Sequence, residues 1–258
     1  MRSELYGEEE PALDDPAELF HEASKLHPVL AHRQAAGLAR LAATPELQTL
    51  AARAARANPQ LHRHPLPEPQ ALACSLSDAL ARRASRRDFT PGELGLRTLA
   101  TLLDAGNGRR DPNRRTVPSG GALYPLEVFV AVHGVAGVPR GVHRYDAHAH
   151  ALEEHAAGDP WPALERSCPL PGMLAGGACA LLVVAIFGRT RFKYGLRGYR
   201  FALLEAGHVV QNIVLAAAAL DVPALPWGGF YDAAVDAIVD VDGIEESVVY
   251  AVVVGAAA

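Results

Sequence analysis

The side chains best suited to chemistry lie in one stretch, Ile186 to Leu220, which reads IFGRTRFKYGLRGYRFALLEAGHVVQNIVLAAAAL. Lys193 stands out there, because Lys25 and Lys193 are the only lysines among 24 basic residues. A lysine amine can give up its proton, whereas the guanidinium of arginine stays charged in proteins. A lysine kept beside Tyr194 therefore indicates a general base, and chance placement of two lysines is the alternative. Three arginines are expected to surround it: Arg189, Arg191 and Arg197.

The second half of this stretch predicts a long apolar helix with one polar stripe. Glu205, His208 and Asn212 are spaced i, i+3 and i+7, so they are expected to point the same way. Small residues such as Gly207 would let another helix or a ligand approach closely. This favours a helix at a dimer seam or a cofactor floor, and a helix with one wet side is the alternative. The opposite face is expected to be core, with Leu204, Ile213 and Leu220.

Composition narrows the class of protein. The chain has 258 residues and 27.3 kDa, half of them hydrophobic and 21% charged, as in an ordinary globular enzyme. A net charge of −5 argues against general nucleic-acid binding but leaves room for a local basic pocket. Three cysteines without a CxxC pair and an acidic N-terminus without signal-peptide layout indicate a reduced, cytoplasmic protein. The longest apolar run, residues 178–187, is too short to cross a membrane.

Prolines suggest a boundary between an N-terminal arm and a core domain. Residues 1–62 are predicted to form an N-terminal helical arm, with helices at Pro16–Leu26, at Val29–Ala43 and after the Thr44-Pro45 cap. Arg63–Gln70, with three prolines, is predicted to be a linker, and residues 71–258 the core domain.

The core domain alternates helices and strands, which predicts an α+β sandwich around one sheet. Ser75 is expected to cap a short helix, and Leu94–Asp104 to form an amphipathic helix that stops at Gly106. Strands are predicted at Leu126–His133, Val142–Tyr145, Ala151–Glu154, Ala178–Phe187 and Ser247–Gly255, the second and third as a hairpin.

Two further patterns are suited to binding an anionic, flat ligand. Arg83, Ser85, Arg86 and Arg87 group at a helix end and could clamp a phosphate, although a solvated basic turn has the same composition. The loops Pro118–Gly121 and Pro226–Phe230 contain paired glycines, so backbone can approach a ring edge. The chain has no G-x-G-x-x-G, P-loop or G-x-S-x-G motif. His148, His150 and His155 lack a carboxylate or thiolate at ligand spacing, so no metal site is predicted.

Five segments in this order carry a family pattern: SRRDF (85–89), PSGGALYPLEVFV (118–130), GVHRYD (141–146), FKYGLRGYRFALLEAGHVVQN (192–212) and PWGGFYD (226–232). Over residues 75–255 the sequence resembles the nitroreductase superfamily and, within it, the SagB-type dehydrogenases. These flavin enzymes oxidise azoline rings to azoles in ribosomally made peptides during antibiotic biosynthesis, including that of thiopeptides. The resemblance implies a nitroreductase-like α+β fold with a mostly antiparallel central sheet flanked by helices. It also implies a homodimer with FMN at the subunit seam.

The resemblance assigns roles to residues of this chain. Lys193 and Tyr194 occupy the position of the catalytic lysine–tyrosine pair. Arg83, Ser85 and Arg87 would hold the FMN phosphate and ribityl chain. Ala84 replaces the usual arginine, so either Arg83 or Arg86 would take its role. The remaining cofactor-binding residues would be Pro118, Ser119, Gly120, Gly228, Gly229 and Arg189, with the two glycine loops contributed by different subunits.

The implied function is oxidation of azolines, most of all thiazolines, in a cyclodehydrated precursor peptide, with FMN as cofactor and cyclodehydratase proteins as partners. One alternative is an NAD(P)H-dependent nitroreductase or flavin reductase, which nicotinamide would reduce rapidly. The other is a flavin-free scaffold subunit of a cyclodehydratase complex, for which Ala84 is the only sequence feature. Neither a nucleic acid nor a membrane is an expected partner.

Overall fold

The computed structural model of the chain describes residues 15–26, 39, 43–44, 61–111 and 114–256. The helices predicted at Val29–Ala43 and after Thr44 therefore lie almost wholly outside the described residues. Within these ranges the helices are α1 (Pro16–Ala23), α2 (Leu76–Arg82), α3 (Leu96–Asn107), α4 (Trp161–Ser167), α5 (Gly188–Tyr194), α6 (Leu196–Ala219) and α7 (Asp232–Ile238).

A seven-stranded, fully antiparallel sheet forms the centre of the fold, in the order β1-β6-β5-β4-β7-β9-β8. Its strands are β1 (Arg63–Pro65), β4 (Leu126–Val132), β5 (Gly141–Asp146), β6 (Ala151–Ala157), β7 (Gly177–Ile186), β8 (Ala224–Trp227) and β9 (Glu246–Gly255). A separate short hairpin joins β2 (Arg109–Asp111) and β3 (Arg114–Arg115). The five predicted strands are confirmed within a few residues of their predicted bounds. Strands β1 and β8 were not predicted, and the predicted loop Pro226–Phe230 begins inside β8, because Pro226 and Trp227 pair with β9.

Helices cover both faces of this sheet, which explains why its central strands are apolar without alternation. Leu99 of α3 and Ile213 of α6 belong to the core cluster on one face. Trp161 of α4 and Val235 of α7 belong to the cluster on the other. Gly106 does not stop α3 as predicted, because the helix continues to Asn107. The lack of a side chain at Gly106 instead allows α6 to approach, since a Cβ on Gly106 would lie 2.6 Å from the Ile213 Cγ1.

Helix α6 is rotated relative to the predicted orientation. Leu204 is 62% exposed and Ile213 is fully buried, so the prediction that both are core is wrong for Leu204. Nine residues at about 100° each place these two side chains on opposite sides of the helix. The predicted stripe also divides, with Glu205 3% exposed, His208 exposed and Asn212 half-buried. Helix α6 is long and apolar enough to cross a membrane, but half of its apolar 18-residue segment is buried inside the fold.

The predicted linker is in part an edge strand. Arg63–Pro65 pairs with β6, and only the residues after it run on without regular structure. Prolines suggested a linker, but an edge strand tolerates a proline whose missing N–H faces away from the neighbouring strand.

The one described helix of the arm docks beside α6. Asp15 caps α1, and the Phe20 ring meets the Tyr199 ring edge-on at 5.3 Å. The Arg200 Nε donates to the Ser24 hydroxyl at 2.7 Å, and Ser24 is buried. This docking places the end of α1 near the segment that carries Lys193.

Candidate functional site

Lys193 and Tyr194 lie at the end of α5 and meet the predicted glycine loop. A Cβ on Gly121 would lie 2.5 Å from the Tyr194 hydroxyl and 2.7 Å from the Lys193 Nζ. Gly121 also has φ +67°, so both its backbone and its neighbours require glycine there. The Lys193 Nζ sits 5.0 Å from the centre of the Tyr194 ring. The structure thus joins the two most distinctive segments of the sequence at one point.

The glycine loop is held in an unusual conformation by its own hydrogen bonds. The Tyr124 N–H donates to the Ser119 hydroxyl at 2.9 Å, and the Arg115 N–H donates to the Tyr124 hydroxyl at 3.1 Å. Ala122 and Tyr124 both have positive φ, 55° and 44°. Non-glycine residues rarely adopt that region, and such strain is concentrated at binding and catalytic sites.

Beneath this loop lies a group of buried polar atoms that are incompletely paired. Burial raises the pKa of Glu205 to about 7, although the nearby Ser119 hydroxyl and the charge of Arg115 act in the opposite direction. Apart from this approach of the Ser119 hydroxyl, neither Glu205 carboxyl oxygen has a hydrogen-bond partner among the described residues. The same holds for the Arg189 Nη1 and the Thr116 Oγ1. Because buried polar atoms are nearly always paired in native proteins, this group marks a place where water or a ligand supplies partners.

Arg189 is connected through carboxylates to the far edge of the sheet. Its Nη2 donates to the Glu127 Oε1 at 2.6 Å, and Glu127 also pairs with Arg144 at 3.4 Å. Arg144 in turn pairs with the fully buried Glu153, which accepts from the Arg63 Nη2 at 2.5 Å. We call this series, from Arg189 to Arg63, the charge ladder.

Two arginines expected around Lys193 have other partners. Arg189 is directed to Glu127, and the Arg197 guanidinium reaches the Ser24 carbonyl at 3.4 Å and the face of Phe201. Arg191 remains exposed. The expectation that these three arginines lie around Lys193 stays a prediction, and the ladder and the docked arm give two of them partners of their own.

The predicted phosphate clamp lies elsewhere in the chain. The Arg86 N–H donates to the Ala224 carbonyl at 3.0 Å, where β8 begins, and its guanidinium pairs with Asp221 at 3.3 Å. Ser85 and Arg87 are exposed and Arg83 is half-buried. Phe89 then packs on Gly255, at the end of β9. The other end of β9 pairs with Ile186, just before α5, and ten residues of strand span about 30 Å.

The second glycine loop follows the end of β8. Gly228 and Gly229 are exposed, and a Cβ on Gly229 would meet nothing within 4 Å. Within one chain the structure therefore unites Lys193, Tyr194 and the Pro118–Gly121 loop. It does not bring the arginine turn to them.

Several residues of this site were not predicted. Glu127 is a single carboxylate within the apolar strand LEVFVAV, and that contrast was the available signal. Arg115 carried no local pattern.

The histidines considered for a metal form hydrogen bonds with other groups and not with one another. The His150 Nδ1 bonds the Tyr145 hydroxyl and its Nε2 the Pro67 carbonyl, while His155 bonds the Val239 carbonyl. His148 and His150 line a cleft of about 540 Å³ whose other lining residues include Arg109 and Asp104.

The fold is an antiparallel sheet with helices on both faces, and one glycine loop lies beside the lysine–tyrosine pair. Residues 80–256 match the profile of the nitroreductase family, which consists of oxidoreductases, and the chain belongs to that family. Nitroreductases generally bind FMN. The nitroreductase family, inferred from sequence resemblance, is confirmed, and peptide-processing proteins are among those that the chain resembles.

The similar proteins include one with the name of a nitroreductase and others named for the processing of a peptide. MJ1384 of Methanocaldococcus jannaschii, which has the name of a nitroreductase, is 36% identical over 158 residues, 61% of this chain and 80% of that protein. The microcin B17-processing protein McbC of Escherichia coli is 36% identical over 166 residues, and the match covers 58% of each protein. A structure of the E. coli microcin synthetase McbBCD complex with truncated pro-MccB17 bound contains a similar chain. It has TM-score 0.63 and 26% identity, and the match covers 100% of this chain and 98% of that one.

Proposed function

We propose that this protein is an FMN-dependent dehydrogenase that oxidises azoline rings, chiefly thiazolines, to azoles in a cyclodehydrated precursor peptide. The observation that carries the proposal is the contact of the Lys193 amine and the Tyr194 hydroxyl with the Gly121 backbone. It puts a base and a hydroxyl beside the glycine loop that the family resemblance assigns to the flavin ring. Similarity to McbC, a peptide-processing protein, supports a peptide rather than a small nitro compound as substrate.

The residues present fit FMN. The exposed Gly228 and Gly229 leave room for a flat ring system, since a Cβ on Gly229 would meet nothing within 4 Å. The arginine turn offers guanidiniums and the Ser85 hydroxyl to a phosphate. Arg86 already has a carboxylate partner in Asp221, so we assign the phosphate to Arg83 and Arg87. Arg189, with one unpaired guanidinium nitrogen, is assigned to the ring side of the site.

We further propose that the site is completed in a homodimer. The arginine turn and Lys193 lie near opposite ends of β9, which is too far apart for one chain to supply both ends of a single FMN site. A second copy can supply the missing part. Helix α2 packs on α6, and both present large apolar side chains to solvent: Leu76, Leu80, Leu203 and Leu204 are 69%, 55%, 41% and 62% exposed. An exposed apolar surface of this kind is typical of a subunit interface.

The reaction removes a proton from the azoline α-carbon and a hydride from the neighbouring ring carbon. FMN supplies the hydride acceptor at N5, and molecular oxygen is the final acceptor. Lys193 takes the α-proton, and Tyr194 orients the ring or shares that proton. The Gly121 backbone fixes the separation of these two groups, so that base and substrate meet in one geometry.

Partners and location follow from this proposal. A ring-bearing peptide needs an open approach, and the exposed Gly195 and Leu196, where α5 meets α6, provide one. The McbBCD complex suggests cyclodehydratase proteins as neighbours. We place the protein in the cytoplasm, in keeping with its three free cysteines and a helix α6 that packs within the fold.

The test begins with the visible spectrum of the purified protein and identification of any flavin that heat releases. An azoline-bearing peptide should then lose two hydrogens per ring, as measured by mass spectrometry. Lys193→Ala should lower kcat roughly 10²- to 10⁴-fold with flavin retained, the range for loss of a general base. Lys25→Ala is the matched control, because this lysine is half-exposed and, within the part of the chain that the structure describes, pairs with Glu22. Unchanged turnover in a flavin-bound Lys193→Ala protein would disprove the assignment.

An NAD(P)H-dependent nitroreductase is the second candidate, favoured by similarity to MJ1384. It predicts rapid bleaching of the flavin by NADPH in stopped flow, without any peptide. The dehydrogenase predicts bleaching by azoline peptide instead. A protein that stays colourless with added FMN would contradict both.

A further inference from the structure

A group of three metal-ligating side chains lies at the β1 edge of the sheet. His62 and His64 alternate along the chain and so point to the same face. The Glu154 N–H donates to the His62 carbonyl at 3.0 Å, which places Glu154 of β6 directly across from His62. One ligand atom from each of the three residues lies within 4.8 Å of the other two. Arg63, between the two histidines, points the other way and belongs to the charge ladder.

The donor set matches a particular class of cation. Two imidazoles and one carboxylate suit Zn²⁺ and related transition metals, whereas Mg²⁺ and Ca²⁺ prefer oxygen ligands. Around a tetrahedral zinc ion the donors lie about 3.3 Å apart. The His64 Nε2 and the Glu154 Oε1 are already 2.8 Å apart. His62 is exposed, so its side chain can rotate toward them, and an ion can enter from that side.

His143 provides a second, independent observation at the same place. It pairs with Glu154 in the β5–β6 register, and its ring lies 5.6 Å from the His64 ring. Its Nε2 bonds the Pro139 carbonyl at 2.9 Å, so Nε2 carries the proton and Nδ1 bears the lone pair. That Nδ1 is buried and has no partner among the described residues. A ring held by a carbonyl on one nitrogen and open on the other is the usual state of a metal-ligating histidine.

The electrostatics of this group suit a cation. The His64 Nε2 lies 2.8 Å from the Glu154 Oε1, so this imidazole donates a hydrogen bond to the carboxylate. A cation would take the place of that proton between the imidazole and the carboxylate, and the proton would be released to solvent.

We propose that His62, His64 and Glu154 bind one divalent transition-metal ion of the Zn²⁺ class, with the lone pair of His143 available for the fourth position. The ion clamps β1 to β6 and so fixes the point where the N-terminal segment joins the sheet. Strand β1 is three residues long, and besides its pairing with β6 it has the Arg63–Glu153 and His64–Glu154 contacts. The inference does not depend on the proposed function.

Zinc titration of tag-free, chelator-treated protein tests the proposal. Isothermal calorimetry should show one Zn²⁺ per chain, and saturating Zn²⁺, but not Mg²⁺, should raise Tm. The double variant His62→Asn/His64→Asn should weaken Kd by more than the roughly 10- to 100-fold typical of losing a single outer-shell partner. Its Tm should no longer respond to zinc.

The control is His148→Asn/His150→Asn, a histidine pair with the same spacing that bonds Tyr145 and a carbonyl rather than a carboxylate. It should bind zinc like the parent. Glu154→Gln, a near-isosteric change, guards against a misfolded double variant and should also weaken binding. Absence of stoichiometric zinc, or equal affinity in the His62/His64 variant, would overturn the proposal. Zinc binding without a rise in Tm would overturn the clamp.

Discussion

Two groups of buried charges among the described residues differ in how completely they are paired. In the outer part of the charge ladder, Arg144 and Arg63 both pair with Glu153, which is fully buried. Beneath the glycine loop, Glu205 is almost as buried, yet among the described residues only the Ser119 hydroxyl approaches its carboxyl group. Arg189 and Glu127 connect the two groups.

This difference separates structural charges from functional ones. An ion pair whose donors and acceptors are all paired stabilises the contact between strands and offers no free group to a ligand. An unsatisfied buried group costs free energy that natural proteins retain mainly where water or a ligand supplies the missing bond.

Breaking the paired group should have the largest effect on stability. Glu153→Gln removes the charge that Arg144 and Arg63 share and leaves a buried guanidinium short of a partner. We expect the free energy of unfolding to fall by about 3–5 kcal/mol, measured by urea denaturation. Flavin content per folded chain should not change. Glu165→Gln, an exposed carboxylate, should change stability by less than about 0.5 kcal/mol. An equal effect of the two substitutions would mean that the ladder contributes nothing specific.

The unpaired group should give a pH-dependent effect. The pKa of Glu205 rises from 4.5 to about 7 on folding, so the folded state binds the proton more tightly than the unfolded state. Stability from this group is therefore fully present below pH 4.5 and is lost as the pH rises to about 7. The loss corresponds to about 3 kcal/mol. Glu205→Gln should remove it, so the variant should be more stable than the parent at pH 8 and similar at pH 4.5. Equal pH profiles in urea denaturation would show that Glu205 is not buried as a carboxyl.

The sequence predicted some parts of the candidate site and missed others, for physical reasons. Lys193, Tyr194 and the glycine loops were predicted because a rare residue type and a local spacing can be read directly from the sequence. The burial of Glu205 depends on a loop some 85 residues earlier in the chain. Helical periodicity indicates which face of α6 carries Glu205 but not which segment covers that face. The same limit misplaced Leu204. Strand β1 was missed because its prolines suggest a linker, whereas its pairing with β6 involves residues about 90 positions away.

A change at Gly121 sharpens the comparison at the site itself. Gly121→Ala meets both a positive φ and the Lys193 and Tyr194 side chains, whereas Gly137 has φ +75° with nothing within 4 Å. Each substitution should cost about 1–2 kcal/mol of stability from backbone strain. Only Gly121→Ala should also lower kcat for azoline oxidation, because it displaces the catalytic pair. If Gly137→Ala lowered kcat equally, the effect of Gly121→Ala would be general destabilisation and not displacement.

The weakest of these contacts should be those of the docked arm, where charges bond backbone and hydroxyl groups at the protein surface. Arg200 donates to the Ser24 hydroxyl at 2.7 Å and to the His21 carbonyl at 2.5 Å. Arg200→Ala should cost about 1 kcal/mol, since partly exposed hydrogen bonds contribute little net free energy. It should release α1 without unfolding the core, so limited proteolysis near Ser24 should become faster while the urea midpoint of the sheet barely moves. Arg191→Ala, an exposed arginine on the neighbouring helix, should leave the cleavage rate unchanged. A loss of stability as large as that of Glu153→Gln would mean that the arm is part of the core and that buried and exposed charges are equivalent here.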